Sequence, residues 1–111
     1  MLFCNIIGGE RRGSEKNHQV VDPRTEEPLW DVPLATASDL QDAVDSARKA
    51  FPSWSQTTWA ERQVIIVRLA DMIEQNDMEL QDILIKETGK SAFMAGFETT
   101  TTVKQLKFYC K

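Results

Sequence analysis

The chain has 111 residues, and 13 Lys and Arg against 17 Asp and Glu give it a formal net charge of −4. That length is near the common size of one domain, so we expect a single modest core. Hydrophobic residues at 41% and charged residues at 27% are typical of globular proteins. The basic residues are scattered among acidic ones, which argues against a nucleic-acid partner.

The amino terminus and the cysteines favour a cytoplasmic protein. Residues 1–7 form the longest amino-terminal apolar stretch, but Asn5 interrupts it and no basic region precedes it, so it is too short for a signal peptide or membrane span. Cys4 and Cys110 lie far apart, without C-x-x-C spacing or a nearby His, which favours reduced, structural cysteines over zinc or a redox pair. We expect no membrane partner.

Residues 1–35 have the pattern of short strands joined by turns. Gly8-Gly9 can supply the positive φ angles of a tight hairpin turn, and residues 23–27 form a second turn-like segment. Apolar or β-branched residues flank both turns. The predicted strands are residues 2–7, 10–12, 19–22 and 29–34. A small antiparallel β-hairpin unit follows from this pattern.

Residues 36–111 have helical periodicity instead. Thr36 with Asp39, and Thr58 with Glu61, are capping boxes that predict helix starts. Four helices are expected: the first from Thr36 until Pro52 stops it, the second from Thr58 to a bend near Asn76, the third restarting at Asn76 with Glu79 and ending at Gly89, and the fourth capped by Ser91. The periodicity continues to the last residues, which indicates an interrupted larger fold. The fold class is therefore α+β, a β-hairpin region followed by about four helices.

Each predicted helix has an apolar face. The second helix should anchor the core through five large side chains, worth at most about 1.5 to 3 kcal/mol each: Ile65, Ile66, Leu69, Met72 and Ile73. The first helix presents Leu40, Ala43, Val44, Ala47, Ala50 and Phe51. The last presents Ala92, Gly96, Thr99, Val103, Leu106 and Cys110, with Phe93 and Phe97 beside them. Threonines 99–102 cost this helix about 2 kcal/mol of propensity, so packing must hold it.

The sequence contains no recognisable catalytic or ligand-binding motif. Neither G-x-G-x-x-G nor G-x-x-x-x-G-K-[ST] is present, and His18, the single histidine, is best interpreted as a solvated surface residue. Six carboxylates could pair in space, but each has a structural explanation as a cap or solvent-facing residue: Glu10, Asp22, Asp31, Glu61, Glu87 and Glu98. Four aromatic residues without interleaved basic residues favour core packing over base or sugar stacking: Phe51, Trp54, Trp59 and Phe93. We predict no catalytic and no cofactor-binding residue.

Residues 47–90 contain A-R-K-A-F-P-S-W-S-Q-T-T-W-A-E-R, R-L-A-D-M-I-E and K-E-T-G-K, and this block resembles the amino-terminal part of NAD(P)-dependent aldehyde dehydrogenases. Residues 6–10 are similar to the family's F-I-N-G-E hairpin, residues 21–27 to its V-N-P-A-T-G-E turn, and residues 32–37 to the approach to its first helix. The resemblance covers nearly the whole chain. Gly8 stands where asparagine is usual and Glu26 where the turn has glycine, which costs energy if φ is positive there.

The resemblance implies that residues 1–111 are the leading, incomplete part of the family's α/β NAD(P)-binding domain, with a β-hairpin region at 1–35 and a helical region at 36–111. In complete enzymes of the family a cysteine thiolate adds to the aldehyde, hydride passes to NAD or NADP, and a glutamate-activated water releases the carboxylic acid. The family's P-W-N-F-P, G-x-x-x-x-G, E-L-G-G-K and G-Q-x-C segments are absent from these residues. We therefore expect the chain alone to bind no cofactor and to be inactive.

A partial metal site also follows from the resemblance. Some members bind a monovalent cation through main-chain carbonyls at the positions of Val20 and Val21 and an acidic side chain at the position of Glu87. A third ligand of that site lies beyond Lys111, so the site here would be incomplete.

Two other interpretations stay open at this point. The chain could be a non-catalytic interaction module that docks onto a full-length aldehyde dehydrogenase subunit, or an unrelated small helical scaffold. The expected partners are accordingly the remainder of an aldehyde dehydrogenase or a homologous subunit.

Overall fold

The computed structural model describes residues 3–111, and the chain divides into two compact units. The first, the hairpin unit, contains the residues up to Val21 together with Pro28–Gln56. The second, the helical unit, contains Asp22–Glu27 and Thr57–Lys111. Residues 22–27, which connect two strands of the first unit, therefore belong to the second unit.

The hairpin unit begins with a two-stranded antiparallel sheet. Strand β1 (Asn5–Ile7) pairs with strand β2 (Glu10–Arg12), with Ile7 opposite Glu10. The intervening Gly8 and Gly9 have φ angles of 62° and 85°. Two consecutive positive φ angles match the twist of a two-residue hairpin, which is why glycine suits both positions. The predicted hairpin is confirmed, but its first strand is shorter than the expected residues 2–7: Phe3 and Cys4 precede the strand, and Leu2 lies outside the described residues.

A second antiparallel pair follows. Strand β3 (Asn17–Val21) pairs with strand β4 (Pro28–Pro33), with His18 opposite Val32, and the register shifts between Val20 and Val21. The predicted strands are confirmed, but β3 starts two residues before the expected Gln19 because its pairing with β4 extends to polar Asn17.

Helix α1 (Ala37–Ser55) completes this unit. Its predicted capping box is present: the Thr36 hydroxyl oxygen accepts from the Asp39 amide at 3.1 Å, and the Asp39 carboxylate accepts from the Thr36 amide at 2.8 Å. The face expected to be buried is exposed, and no residue of α1 is buried. This helix is therefore held largely by local bonding.

The expectation that Pro52 ends α1 is wrong. Pro52 lies inside α1, which continues to Ser55. The proline has no amide to donate to the carbonyl four residues earlier, so the last turn forms without that one hydrogen bond. The hydroxyls of Ser53 and Ser55 donate to the carbonyls of Ala50 and Pro52 at 3.0 and 2.9 Å. The Pro52 carbonyl is one of the last four of the helix, which have no amide partner within it, so the bond from Ser55 satisfies it.

The helical unit contains helices α2 (Trp59–Gln75), α3 (Asp77–Thr88) and α4 (Ala92–Phe108). The capping box of Thr58 with Glu61 is present, Gly89 ends α3 with φ at 68°, and the Ser91 hydroxyl accepts from the Met94 amide at 3.3 Å. These predictions are confirmed. The bend at Asn76 is also present, but Asn76 makes no side-chain cap: its side-chain amide donates to the Met72 carbonyl instead, at 2.8 Å.

The core of the helical unit consists of small residues. Ala70 and Ala95 are fully buried, and Val103 and Thr99 are nearly so. The predicted anchor residues of α2 are largely wrong: Ile65, Leu69 and Met72 are 48%, 46% and 60% exposed, and Ile66 and Ile73 are half-buried. The reason is that α2 meets α4 along the side where Ala70 permits close approach, while the large side chains occupy the rest of its circumference.

Among the described residues, no helix is both long enough and apolar enough to cross a lipid bilayer.

Candidate functional site

The most tightly organised feature outside the helices is the turn Asp22–Glu27, which belongs to the helical unit. Its backbone closes through two hydrogen bonds: the Asp22 amide donates to the Glu27 carbonyl at 3.0 Å, and the Glu26 amide donates to the Asp22 carbonyl at 2.8 Å. Glu26 has a φ of 62°, in the left-handed region that glycine adopts freely. Apart from glycines, it is the one described residue with positive φ. The suspected cost at this position is therefore real.

The carboxylate of Asp22 stabilises the turn from inside. It is 5% exposed and accepts from the Arg24 amide at 2.8 Å and from the Arg24 guanidinium at 2.7 and 3.1 Å. These bonds, first from the side chain and then from the backbone of Arg24, lower the pKa of Asp22 to about 2. They favour the charged form of Asp22 and hold Arg24 over the turn.

The turn lies against the end of α3. A side chain at Gly89 would place its first carbon 3.1 Å from Cγ of Pro23 and 3.2 Å from Cγ of Arg24. Gly89 is thus required twice, by its left-handed φ of 68° and by this close approach. Glu87, two residues earlier in α3, lies in the helical turn that this contact fixes.

The predicted cation site involves Val20, Val21 and Glu87. Val20 and Val21 lie at the bulged end of β3 in the hairpin unit, and Glu87 lies in the helical unit. No group of three or more His, Cys, Asp or Glu side chains that could hold a metal occurs in residues 3–111. The resemblance predicts two main-chain carbonyls and only one carboxylate as ligands, so the cation site stays a prediction.

A groove of about 730 Å³ in the hairpin unit is lined by residues 12–16, 34–36, 38, 39 and 42. Its Arg12 forms ion pairs with Asp42 at 2.5 Å and with Asp39 at 3.8 Å. The hydrogen bond to Asp42 raises the pKa of Arg12, and the bonds from Thr36 lower the pKa of Asp39. Because two carboxylates already surround the guanidinium, this groove has little attraction for an anion.

The remaining candidate residues lie apart in ordinary structural roles. His18 is exposed in β3, and both cysteines are free thiols. The Cys4 sulfur accepts from Nε of Arg11 at 3.2 Å, and the Cys110 carbonyl accepts from the Gln63 side chain at 2.8 Å. Of the carboxylates, Glu61 caps α2 and Glu98 forms an ion pair with Lys90.

Sequence reasoning missed the interaction of Asp22 with Arg24. The signal was available in the sequence Asp22-Pro23, since Asp before proline favours a turn in which the carboxylate accepts from amides two residues further on.

Comparisons with known proteins identify the family. The model of the aldehyde dehydrogenase family matches residues 10–111. The chain belongs to the aldehyde dehydrogenase family. This dehydrogenase chain is similar to the aldehyde dehydrogenase LUC3 of Fusarium, with 37% identity over 96% of the chain and 23% of that protein. It is 32% identical to the malonate-semialdehyde dehydrogenase of Pseudomonas aeruginosa, over 96% of the chain and 22% of that protein.

Solved structures of dehydrogenases agree. The NAD-dependent benzaldehyde dehydrogenase of Corynebacterium glutamicum superimposes with a TM-score of 0.88 at 29% identity, over 95% of this chain and 24% of that one. The succinate-semialdehyde dehydrogenase of Burkholderia pseudomallei gives 0.84 at 31% identity, over 90% and 21%. The fold class is confirmed as that of an amino-terminal segment of an aldehyde dehydrogenase. The chain spans about a quarter of the length of the relatives it matches.

Proposed function

We propose that this chain supplies the leading quarter of an NAD(P)-dependent aldehyde dehydrogenase, which oxidises an aldehyde to a carboxylic acid, and that residues 1–111 alone are inactive. The observation that carries the proposal is the agreement of fold along 95% of this chain with 24% of a solved NAD-dependent dehydrogenase. A cytoplasmic location, expected from the sequence, is part of the same proposal.

The chemistry of the described residues supports a structural contribution. Asp22, with its lowered pKa, is engaged by Arg24, and Glu61 is engaged in a helix cap. In the assembled enzyme, NAD or NADP would accept the hydride, and the parts of the enzyme outside this quarter would hold it. This chain would fix the turn Asp22–Glu27 against α3 and position the helices around it.

The test compares the chain alone with a chimera. The 111-residue chain, purified and mixed with a simple aldehyde and either NAD+ or NADP+, should give no increase in absorbance from the reduced nicotinamide. A chimera in which this chain replaces the matching quarter of the benzaldehyde dehydrogenase of Corynebacterium glutamicum should oxidise benzaldehyde.

Two controls frame the result. The same dehydrogenase lacking its matching quarter should be inactive, so that activity of the chimera can be assigned to the addition of this chain. Reduced nicotinamide formed by the 111-residue chain alone would contradict the proposed inactivity, and a folded chimera without activity would contradict the proposed contribution.

A further inference from the structure

The loop between strands β2 and β3 contains a charged motif that the proposed function does not use. Residues 11–16 are R-R-G-S-E-K, and Ser14 is the one serine or threonine of the chain with two arginines among the three residues before it. A serine kinase whose substrate groove is lined by carboxylates selects its acceptors by such arginines, because guanidinium and carboxylate groups form strong paired hydrogen bonds. The motif therefore indicates a phosphate acceptor.

The backbone of this loop is loosely held. The pairing of β1 with β2 ends at Arg12, and the pairing of β3 with β4 begins at Asn17. Within residues 3–111, none of the backbone hydrogen bonds outside the helices and strands involves residues 13–15. A carbon added to Gly13 would meet no atom within 4 Å. The segment can therefore open and extend into the groove of another protein at a small cost in stability.

The Ser14 hydroxyl is held by a single weak bond. The side chain is half-buried, and its oxygen accepts from the Lys16 amide at 3.2 Å, which is long for a hydrogen bond to a hydroxyl. Its proton meets no acceptor in the part of the chain that the structure describes. Opening of the loop therefore releases the nucleophilic oxygen without leaving a buried polar group unpaired.

The two arginines make contacts that a partner can replace. Arg12 forms its ion pair with Asp42 at 2.5 Å, and the two side chains are 34% and 47% exposed. Ion pairs this exposed contribute little to stability. Arg11 is exposed, and its Nε donates to the Cys4 sulfur, a weak acceptor. Carboxylates of a kinase can therefore take over both guanidinium groups.

We propose that Ser14 is a phosphorylation site for a serine kinase that recognises arginines two and three residues before the acceptor, and that the phosphate then competes with Asp42 for Arg12. In the reaction, Oγ of Ser14 forms a bond to the γ-phosphorus of ATP, and the bond from that phosphorus to its bridging oxygen breaks. ADP leaves, and the hydroxyl proton passes to a carboxylate of the kinase.

The position of Ser14 determines what the phosphate does. Ser14 lines the groove of the hairpin unit together with Arg12, Lys16, Asp39 and Asp42. A phosphate of about −2 charge pairs with guanidinium in two parallel bonds and repels carboxylates. It therefore draws Arg12 away from Asp42 and weakens the ion pair that joins β2 to the first turns of α1.

The test uses the 111-residue chain with ATP and the catalytic subunit of cyclic-AMP-dependent protein kinase, which is directed by arginine. A peptide of residues 9–18 gives the rate for the same sequence without a fold. The value of kcat/KM for the chain should be at least about one hundredth of the value for the peptide, because the loop opens easily. Ser14→Ala should abolish incorporation of phosphate. The matched control is Ser38→Ala, a serine of the same groove without preceding arginines, and it should leave incorporation unchanged.

Three results would overturn the assignment of the site. They are a lower ratio of chain to peptide, phosphate located by mass spectrometry at another residue, and equal rates for the native peptide and one with Arg11→Gln and Arg12→Gln. The substituted peptide should be at least about tenfold poorer in kcat/KM, because it loses hydrogen bonds between charged groups.

Amide exchange tests the competition for Arg12. Residues 39–42 should exchange at least about twofold faster in the phosphorylated chain than in the unmodified chain, because the ion pair with Asp42 is lost. Equal or slower exchange would contradict the competition. If the unmodified chain shows no protected amides, the chimera described above takes its place with the same variants and criteria.

Discussion

The two units of the chain are stabilised in different ways. In the hairpin unit, Ile7 is the one buried side chain among the described residues, and α1 contains none. Two strand pairings and a capping box supply its order. In the helical unit, Ala70, Ala95, Thr99 and Val103 form a small interior, and Asp22 is nearly as buried. The first unit therefore depends on local hydrogen bonds, and the second on close packing of small side chains.

This difference determines which side-chain substitutions each unit can tolerate. Local hydrogen bonds constrain the backbone but leave side chains free to vary in size, because little surrounds them. An interior of alanine and threonine constrains side-chain volume strictly, because two helices approach each other there. Substitutions that enlarge a side chain should therefore destabilise the helical unit much more than the hairpin unit.

The largest expected effect is from Ala95→Leu. Ala95 has no exposed surface, so three added carbons must displace α4 from its neighbours and should lower the free energy of unfolding by about 1 to 3 kcal/mol. Ala47→Leu on α1 adds the same atoms at an exposed position and should change it by less than about 0.5 kcal/mol. Urea unfolding, with amide exchange to assign the loss to each unit, measures both. Equal losses of unfolding free energy for the two variants would contradict the proposed difference between the units.

The carboxylates of Asp22 and Asp42 allow a second comparison of the two units. Asp22 is 5% exposed beneath Arg24, whereas Asp42 pairs with Arg12 on the surface of the hairpin unit. Asp22→Asn should destabilise the helical unit markedly, because the Arg24 guanidinium loses its charged partner, while Asp42→Asn should have little effect because exposed ion pairs contribute little.

The same pair has a pH signature. The folded pKa of Asp22 is about 2, below the ordinary 3.8, so its stabilisation is fully present above about pH 4 and is lost as the pH falls through 2. Urea midpoints measured from pH 2 to 5 should therefore fall more steeply in the native chain than in Asp22→Asn. Parallel pH profiles for the two proteins would contradict the assignment.

The smallest expected effect concerns two turn residues with the same backbone angle. Gly8 in the hairpin unit and Glu26 in the helical unit both have φ of 62°. Glu26→Gly should raise the free energy of unfolding by about 0.5 to 1 kcal/mol, since the left-handed cost of about 1 to 2 kcal/mol is removed and part is returned as chain entropy. Gly8→Ala should lower it, because alanine meets that cost and its Cβ would lie 3.1 Å from the Ser46 hydroxyl.

Glu27→Gly serves as the control for Glu26→Gly. Residue 27 has no positive φ, so glycine there should only weaken the turn. If both glycine variants were destabilising, the strain at Glu26 would be too small to matter.

Features that depend on a few neighbouring residues could be predicted from the sequence. The capping boxes of Thr36 and Thr58, the Gly8-Gly9 turn and the stop at Gly89 are local, because donor, acceptor and backbone angle lie within four residues of each other. The cost at Glu26 was anticipated from the resemblance instead, because the family's turn has glycine at that position.

Features that depend on contacts across the fold could not be predicted as well. The periodicity of α2 identified its apolar residues but not the side that meets α4, because several sides are apolar and the contact selects Ala70 instead of Leu69. Pro52 was misjudged because the loss of a single backbone hydrogen bond near the end of α1 does not prevent the helix from continuing to Ser55. The distances among Val20, Val21 and Glu87 depend on the fold and not on neighbouring residues, so their sequence positions alone do not define a cation site.

The bend at Asn76 has a mechanical consequence. Its amide donates to the carbonyls of Met72 and Ile73 at 3.1 and 3.2 Å, and its own carbonyl accepts from the Leu80 amide at 3.0 Å. The amide of Asn76 therefore completes the last bonds of α2, and its carbonyl accepts the first bond of α3. Because one residue finishes one helix and begins the next, fraying at the end of α2 should also loosen the start of α3.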